Sequence, residues 1–394
     1  MGTQPSSSCQ GHGPQKFAKG VELLLPLYFT RQNAPCKLGK RVSLQISFGG
    51  FMSEEFHIST PDLGNLVGVT RQAITMQIGK HPKFQGVIPP RGTLASVSPD
   101  MVREILISRG YKYLKKKSMA FQIVKGGVGK SSLSKNVAIR AAQYGYKTLL
   151  IDFDHQLNLT ISLNAFDENR PVWIDFLKGQ VRTVQELVVP LSENLDIIPS
   201  SPKNCTLDRE IILGAKNLRS LIAEPIRELH SKYEIIIIDC PPALSHLTHA
   251  IYLGVDQIIA PAKPDIYSVI GLEQVFDQWR GISESYGQSP DIKVLINMYD
   301  PRINASTRYL QELFSRYGDF ILPNLIRQSA DFVSTMEQKQ HLWTIRRSQA
   351  GEEVDLVVRH LLNMENIAQG RIPGATAKPL YGSTENSLRE EANL

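Results

Sequence analysis

The sequence predicts an α/β fold: a doubly wound, mostly parallel sheet with helices on both faces, preceded by a small winged helix-turn-helix domain. Three observations carry this. From Met119 onward, short apolar runs alternate with helical patterns, the signature of parallel strands joined by crossover helices. A glycine-rich loop, Val124-Lys125-Gly126-Gly127-Val128-Gly129-Lys130-Ser131, separates the first of these runs from the first of these helices. Upstream, Ile58 to Ile78 reads as two short helices around Gly68.

At 394 residues the chain is too long for one typical domain. The expected division is a partly mobile extension over 1–50, a winged helix-turn-helix domain with a basic linker over 51–117, a P-loop domain over 118–364 and a mobile tail over 365–394. Hydrophobic residues make up 42% and charged residues 21%, enough for a sizeable core under a soluble surface. A net charge of +6 permits a polyanionic partner without selecting one. The four cysteines, Cys9, Cys36, Cys205 and Cys240, have no metal-binding spacing and read as reduced thiols of a cytosolic protein. No apolar run approaches the roughly 18 residues of a membrane span, and no signal peptide is expected.

In chain order, Met1 to Lys19 is rich in Ser, Gly, Gln and Pro and reads as a mobile lead-in. Gly20 to Phe29 fits a short helix or a strand, and 30–50 gives no clear pattern. Thr60 is placed to cap a helix entered through Pro61, with Leu63, Leu66 and Val67 on its apolar face. Gly68 breaks it. Thr70 caps a second helix, Arg71 to Ile78, whose Ile74 and Ile78 face back. Arg71, Gln72, Thr75 and Gln77 are its outward polar residues, suited to base edges and phosphates if this is a helix-turn-helix. An ordinary packing hairpin would carry the same pattern. Phe84 to Ala95 holds Gly86, Pro89, Pro90, Arg91 and Gly92, a candidate hairpin wing with Arg91 near a phosphate backbone. A third helix opens at Ser98 or Pro99 and runs to about Ser108. Lys112 and Lys115 to Lys117 form a basic linker, either a solvated connector or a further DNA contact.

Further strands are expected at Lys147–Asp152, Leu195–Pro199, Tyr233–Asp239, Gln257–Pro261 and Lys293–Asn297. The glycine loop has the context of a phosphate-binding loop. Its glycines let backbone N–H groups crowd around phosphate oxygens, and the helix that follows adds its positive end. Lys130 reaches the β- and γ-phosphates and the Ser131 hydroxyl is placed for Mg2+. Ile235 to Asp239 is an apolar run ending in an acid, which puts Asp239 at a strand's carboxyl end near the metal.

The loop departs from GxxxxGK[ST]: Val124 stands at the first glycine, and Lys125 follows. In this KGGVGKS form it resembles the deviant Walker A of the ParA/MinD ATPases. Asp239-Cys240-Pro241-Pro242 is similar to the DCPP of ParA-like proteins. Asp152-Phe153-Asp154-His155-Gln156-Leu157-Asn158-Leu159-Thr160 resembles their switch DxDPQxNxT, with His155 in place of the proline. The resemblance covers about 118–364. With the upstream helices, the chain looks like the larger partition ATPases of the ParA/SopA type. It implies a slow, partner-stimulated, Mg2+-dependent ATPase. ATP would lie on Lys125, Gly126, Gly127, Val128, Gly129, Lys130, Ser131 and Ser132, with Asn297 and, more weakly, Pro323 at the adenine. Asp152 would support Mg2+ alongside Ser131 and Asp239. Lys125 would reach the nucleotide of a second copy, and Asp154 would position the attacking water. It further implies a cytoplasmic, nucleoid-associated homodimer. Its partners would be nonspecific DNA, an operator and a ParB-type centromere-binding protein. Arg302, Arg308 and Lys263 are the candidates for nonspecific DNA. The alternative is a nucleotide-gated transcriptional repressor with no transport role. A MinD-like membrane regulator is disfavoured, because the tail lacks a basic amphipathic helix.

Overall fold

The computed structural model describes residues 56–84, 95–214, 217–287 and 289–364. The lead-in, the undecided stretch Gly20–Phe29, the wing with Arg91 and the tail after 364 lie outside these residues.

The amino-terminal part begins with β1 (Ile58–Ser59), α1 (Thr60–Val67) and α2 (Arg71–Lys80) and closes with β2 (Ser96–Val97) and α3 (Pro99–Ser108). Ser59, not Thr60, caps α1: its Oγ accepts the Asp62 N–H at 3.1 Å. Thr60 is instead the first helical residue, turned inward and buried. Gly68 ends the helix at φ 72°, a conformation that disfavours a β-carbon. Thr70 caps α2 by accepting from the Ala73 N–H at 3.2 Å. Leu63, Leu66, Ile74 and Ile78 join Val102, Ile105 and Leu106 of α3 in one buried cluster. β1 and β2 pair antiparallel, Ile58 opposite Val97.

The remainder is an α/β sandwich around a seven-stranded sheet of order β5-β6-β4-β7-β3-β8-β9. Its strands are β3 (Lys117–Phe121), β4 (Thr148–Asp152), β5 (Val189–Pro190), β6 (Leu195–Ile198), β7 (Ile235–Asp239), β8 (Gln257–Ala262) and β9 (Asp291–Ile296). All neighbours are parallel except β5, which runs against β6. Helices cover both faces, so the strands read as continuous apolar runs rather than alternating ones. On one face Phe121, Leu150 and Ile237 meet α4 (Lys130–Gln143). On the other Ala120, Ile151 and Ile238 meet a second group. The intervening helices are α5 (Asn158–Ser162), α6 (Trp173–Leu177), α7 (Leu207–Leu213), α8 (Leu218–Leu229), α9 (His246–Tyr252) and α10 (Ile266–Tyr286). After β9 come α11 (Asn304–Tyr317), α12 (Asp331–Glu337) and α13 (Gln349–Leu361). α13 lies on the α4 face, where the buried Arg140 Nε bonds Asp355 Oδ1 at 2.5 Å. No helix among the described residues is long and apolar enough to cross a membrane.

Helix α3 is clamped to the rim of this sheet. Arg103 bonds both Glu234 oxygens at 2.8 Å each and the Gly145 carbonyl at 2.8 Å. Its guanidinium lies 4.3 Å over the Tyr113 ring, so the bidentate pair is backed by a cation–π contact. Gly145 has φ 88°, and a β-carbon there would fall 2.6 Å from Arg103 Cβ.

Candidate functional site

The site forms where β3, β4 and β7 end side by side. Phe121 pairs with Asp239, and Asp239 with Asp152. Parallel strands therefore deliver both acids to the edge from which the glycine loop springs.

The loop joins β3 to α4, with Gly129 at the helix N-cap in the left-handed region, φ 86°. A β-carbon on Gly129 would meet Asn297 Nδ2 at 2.6 Å, whereas open space faces Gly126 and Gly127. One wall of the loop is thus closed by protein, and the other is free for phosphate oxygens. Asn297, buried at the end of β9, donates Nδ2 to the Val128 carbonyl at 2.8 Å. Its Oδ1 has no hydrogen-bond partner. It braces the loop from beneath, with one acceptor left over for a ligand. Pro323 is exposed beside β9, in the segment pinned by Leu322 N–H to the Val294 carbonyl at 2.9 Å.

Lys130 is 6% exposed, and its Nζ donates to the Lys125 carbonyl at 3.1 Å. Burial pulls its pKa down, and the carboxylates of Asp239 and Asp154 work against that. Ser131 and Ser132 follow in the first turn of α4, where backbone N–H groups have no helical partner. Asp239 is fully buried, and neither of its oxygens has a hydrogen-bond partner. Burial drives its carboxyl well above the usual carboxylate range, and neighbouring Asp152 adds to the rise. Ser131 and Lys130 pull the other way. A buried carboxyl with no hydrogen-bond partner is accommodated either by staying protonated or by meeting a cation, which would displace the proton. With Ser131 close by, this chemistry fits Mg2+ on a nucleotide.

Asp152, expected to support Mg2+, is bonded to the switch segment. Its Oδ2 accepts from the Thr160 N–H at 3.0 Å and the Thr160 hydroxyl at 2.6 Å, and its Oδ1 from the Asp154 N–H at 3.0 Å. Both oxygens are committed to the switch segment. Burial pushes the carboxyl up to about 7, against the hydrogen bonds from Thr160 and Asp154. The residue shapes the segment from Asp154 to Thr160, one strand over from Asp239. Asp154 is 6% exposed, with Oδ1 accepting the Gln156 N–H at 3.0 Å. The turn then passes through Leu157 at φ 64°, a strained conformation for a side-chain-bearing residue. His155 is exposed, with its ring nitrogen 3.1 Å from Gln156 Nε2.

The other expected contacts divide. Lys125 turns from the loop toward α10, its Nζ 2.6 Å from Asp265 Oδ2. Arg71 and Gln72 are exposed at the start of α2. The Thr75 hydroxyl donates back to the Arg71 carbonyl at 3.0 Å. Gln77 is not outward: its amide donates to Ser108 Oγ at 2.8 Å and accepts from Arg109 at 2.9 Å, tying α2 to α3. Met76, 60% exposed, and Lys80 occupy the outward face instead. They were missed because helical spacing alone does not fix which stripe α3 covers. Arg302 is exposed but forks onto Asp300 at 2.8 and 2.7 Å, which offsets its charge. Arg308 is exposed, and Lys263 is half-buried. Thr160 and Asp265 also escaped. The first lay within the quoted switch stretch, and nothing local marks the second beyond a helix cap.

Comparison with known proteins agrees with this geometry. A family model described as an AAA domain matches residues 116–294. Over 306 residues the chain is 24% identical to the cell division protein PomZ of Myxococcus xanthus, covering 75% of this chain and 94% of PomZ. It is 29% identical over 213 residues to the chromosome partitioning protein ParA of the same organism, covering 52% of this chain and 74% of ParA. Among solved structures, an ATP complex of a Cyanothece McdA variant superposes with a TM-score of 0.59 at 18% identity, over 65% of this chain and 100% of the McdA chain, a likeness of fold. The loop, the paired strand-end carboxylates and these relatives point the same way: the chain is similar to the ParA-type P-loop ATPases.

Proposed function

We propose that this protein is a DNA-segregation ATPase that pairs on Mg2+-ATP, holds nonspecific DNA as a dimer, and is released when a ParB-type partner stimulates slow hydrolysis. The observation that carries the reading is Asp239, buried with both oxygens unused beside a phosphate loop that is open on one side. Similarity to a chromosome partitioning protein and a cell division protein adds that context.

In this reading Lys130 and the loop N–H groups hold the phosphates, and Asn297 keeps the loop in shape. Ser131 and Asp239 hold Mg2+, directly or through its water shell; the ion would neutralise charge on the phosphates. Asp154 orients the attacking water, and Asp152 keeps Asp154 in place through the switch backbone. Lys125 acts on the nucleotide of the second copy. Arg71, Gln72 and Met76 of α2 face an operator upstream of the protein's own gene, and repression there accompanies segregation. Arg308 contributes to nonspecific DNA binding, which is salt-sensitive.

The test is DNA retention on random and upstream DNA with ATP, ADP or no nucleotide, alongside phosphate release. ATP-dependent retention of random DNA with measurable turnover supports the reading. Retention of upstream DNA alone, without turnover, would leave a nucleotide-gated repressor.

A further inference from the structure

Two lysines of the loop are occupied in an unusual way. Lys130 Nζ is bonded to the Lys125 carbonyl at 3.1 Å, while the Lys125 side chain leaves the loop altogether. Its ammonium meets Asp265 Oδ2 at 2.6 Å and lies 5.5 Å from the Tyr267 ring centroid. Asp265 does not depend on Lys125 for its own placement: its Oδ1 accepts the Ser268 N–H at 2.9 Å and caps α10. The carboxylate is therefore fixed to a 21-residue helix, and the flexible partner is the lysine. Beside the pair, Ile266, Tyr267 and Ile270 are exposed on the same helix, an apolar edge next to the ammonium that has to move.

We propose that Asp265 is a positioning residue that holds Lys125 on its own subunit, so that two copies pair on ATP only after this ion pair opens. The proposal rests on the trans role given to Lys125 above. The two side chains are 24% and 26% exposed, so the pair is of modest strength. Pairs of this kind shift an equilibrium about two- to fivefold. Two open per dimer, so the combined effect on pairing is on the order of tenfold. Tyr267 strengthens the hold through its ring face. The threshold for pairing is thereby raised, and ATP-free copies stay apart.

The test uses the full chain and a non-hydrolysable ATP analogue, with dimer formation followed by light scattering against protein concentration. Asp265→Asn removes the charge and keeps a capping side chain, and Asp265→Ser caps as well with a different shape. Both should pair at a concentration on the order of tenfold lower than the wild type, and the gap should shrink in high salt as the ion pair is screened. With hydrolysable ATP, basal kcat at fixed low protein concentration should rise while the KM for ATP holds, a split that a merely structural cap would not produce. If both variants pair at the wild-type concentration or above it, Asp265 is not a restraint. Lys125→Met separates the layers. Should it fail to pair, the trans role stands whatever the Asp265 variants do. Should it pair normally with the analogue, the trans role fails, and this proposal with it.

Discussion

Replacing Asp239 with asparagine should make the nucleotide-free protein more stable while ending its response to Mg2+-ATP. The carboxylate is fully buried and unpartnered, with its pKa driven well above the usual range by burial and by Asp152. A carboxyl held protonated in the folded state ionises on unfolding, where its pKa is about 3.9. Raising the folded pKa in this way favours the unfolded chain at neutral pH, by about 1.36 kcal/mol for each unit by which the folded value exceeds the unfolded one. The folded state binds more protons than the unfolded one across this window. Wild-type stability therefore falls as pH rises from about 4 toward the folded pKa. The asparagine amide has the shape of the neutral acid and does not titrate. The variant should be more stable than the wild type at pH 7.5, read as a higher Tm, and the gain should vanish near pH 4. Thermal unfolding across pH, with and without Mg2+-ATP, measures both effects. Wild-type Tm should rise with Mg2+-ATP through ligand linkage, and the variant's should rise much less. A nucleotide-free variant that is less stable than wild type at pH 7.5, or a gap independent of pH, would refute the assignment of Asp239 as a carboxyl kept neutral by burial until a cation binds.

Lys130→Ala should lose tight ATP binding by calorimetry, because its ammonium is the main point charge on the β- and γ-phosphates; unchanged affinity would remove the loop from the nucleotide. Asp154→Ala should keep ATP binding, pairing and random-DNA binding but lose turnover, and should stay on DNA after the partner is added. Partner-stimulated phosphate release at the wild-type rate would move the water-orienting role elsewhere on the switch. Changing Arg71 and Gln72 together to Ala should cost about 1–3 kcal/mol of operator affinity per lost base contact and spare random-DNA binding, both read by fluorescence anisotropy. Equal loss of the two activities would argue against separate DNA surfaces.

The parts of the fold legible in the sequence were those with a local signal. Ile235–Asp239 is a strand because four consecutive isoleucines suit a sheet covered on both faces, and its aspartate ends where the register with Asp152 requires. The glycine loop was legible because its glycines and Lys130-Ser131 stand in fixed spacing between an apolar run and a helical pattern. What escaped depends on tertiary partners. Gln77 has a helical position that reads as outward, yet Ser108 and Arg109, some thirty residues on, capture it. Asp152 carries the right residue type for a metal, and only the fold shows Thr160 returning to take its oxygens. Thr60 and Ser59 are equivalent caps in one dimension. Burial decides between them, since the inward-facing hydroxyl is unable to serve the helix end.

The Arg103–Glu234 clamp has a mechanical consequence. Glu234 immediately precedes β7, the strand that ends at Asp239, and Arg103 belongs to the helix that Gln77 ties to α2. A short, stiff linkage therefore runs from the metal-side acid, along one strand, through a two-pronged bond and into the candidate recognition helix. If two copies pair and α2 reads DNA, as proposed above, each α2 would be carried as part of an arm rather than on a tether. The angle of the joint then becomes a spacing in base pairs. Only half-sites in phase with that spacing along the double helix can be gripped by both arms. Glu234→Gln would weaken the clamp while the shared core holds, and the expected outcome is a modest relaxation of the preferred half-site spacing, read by binding to operators with shifted halves.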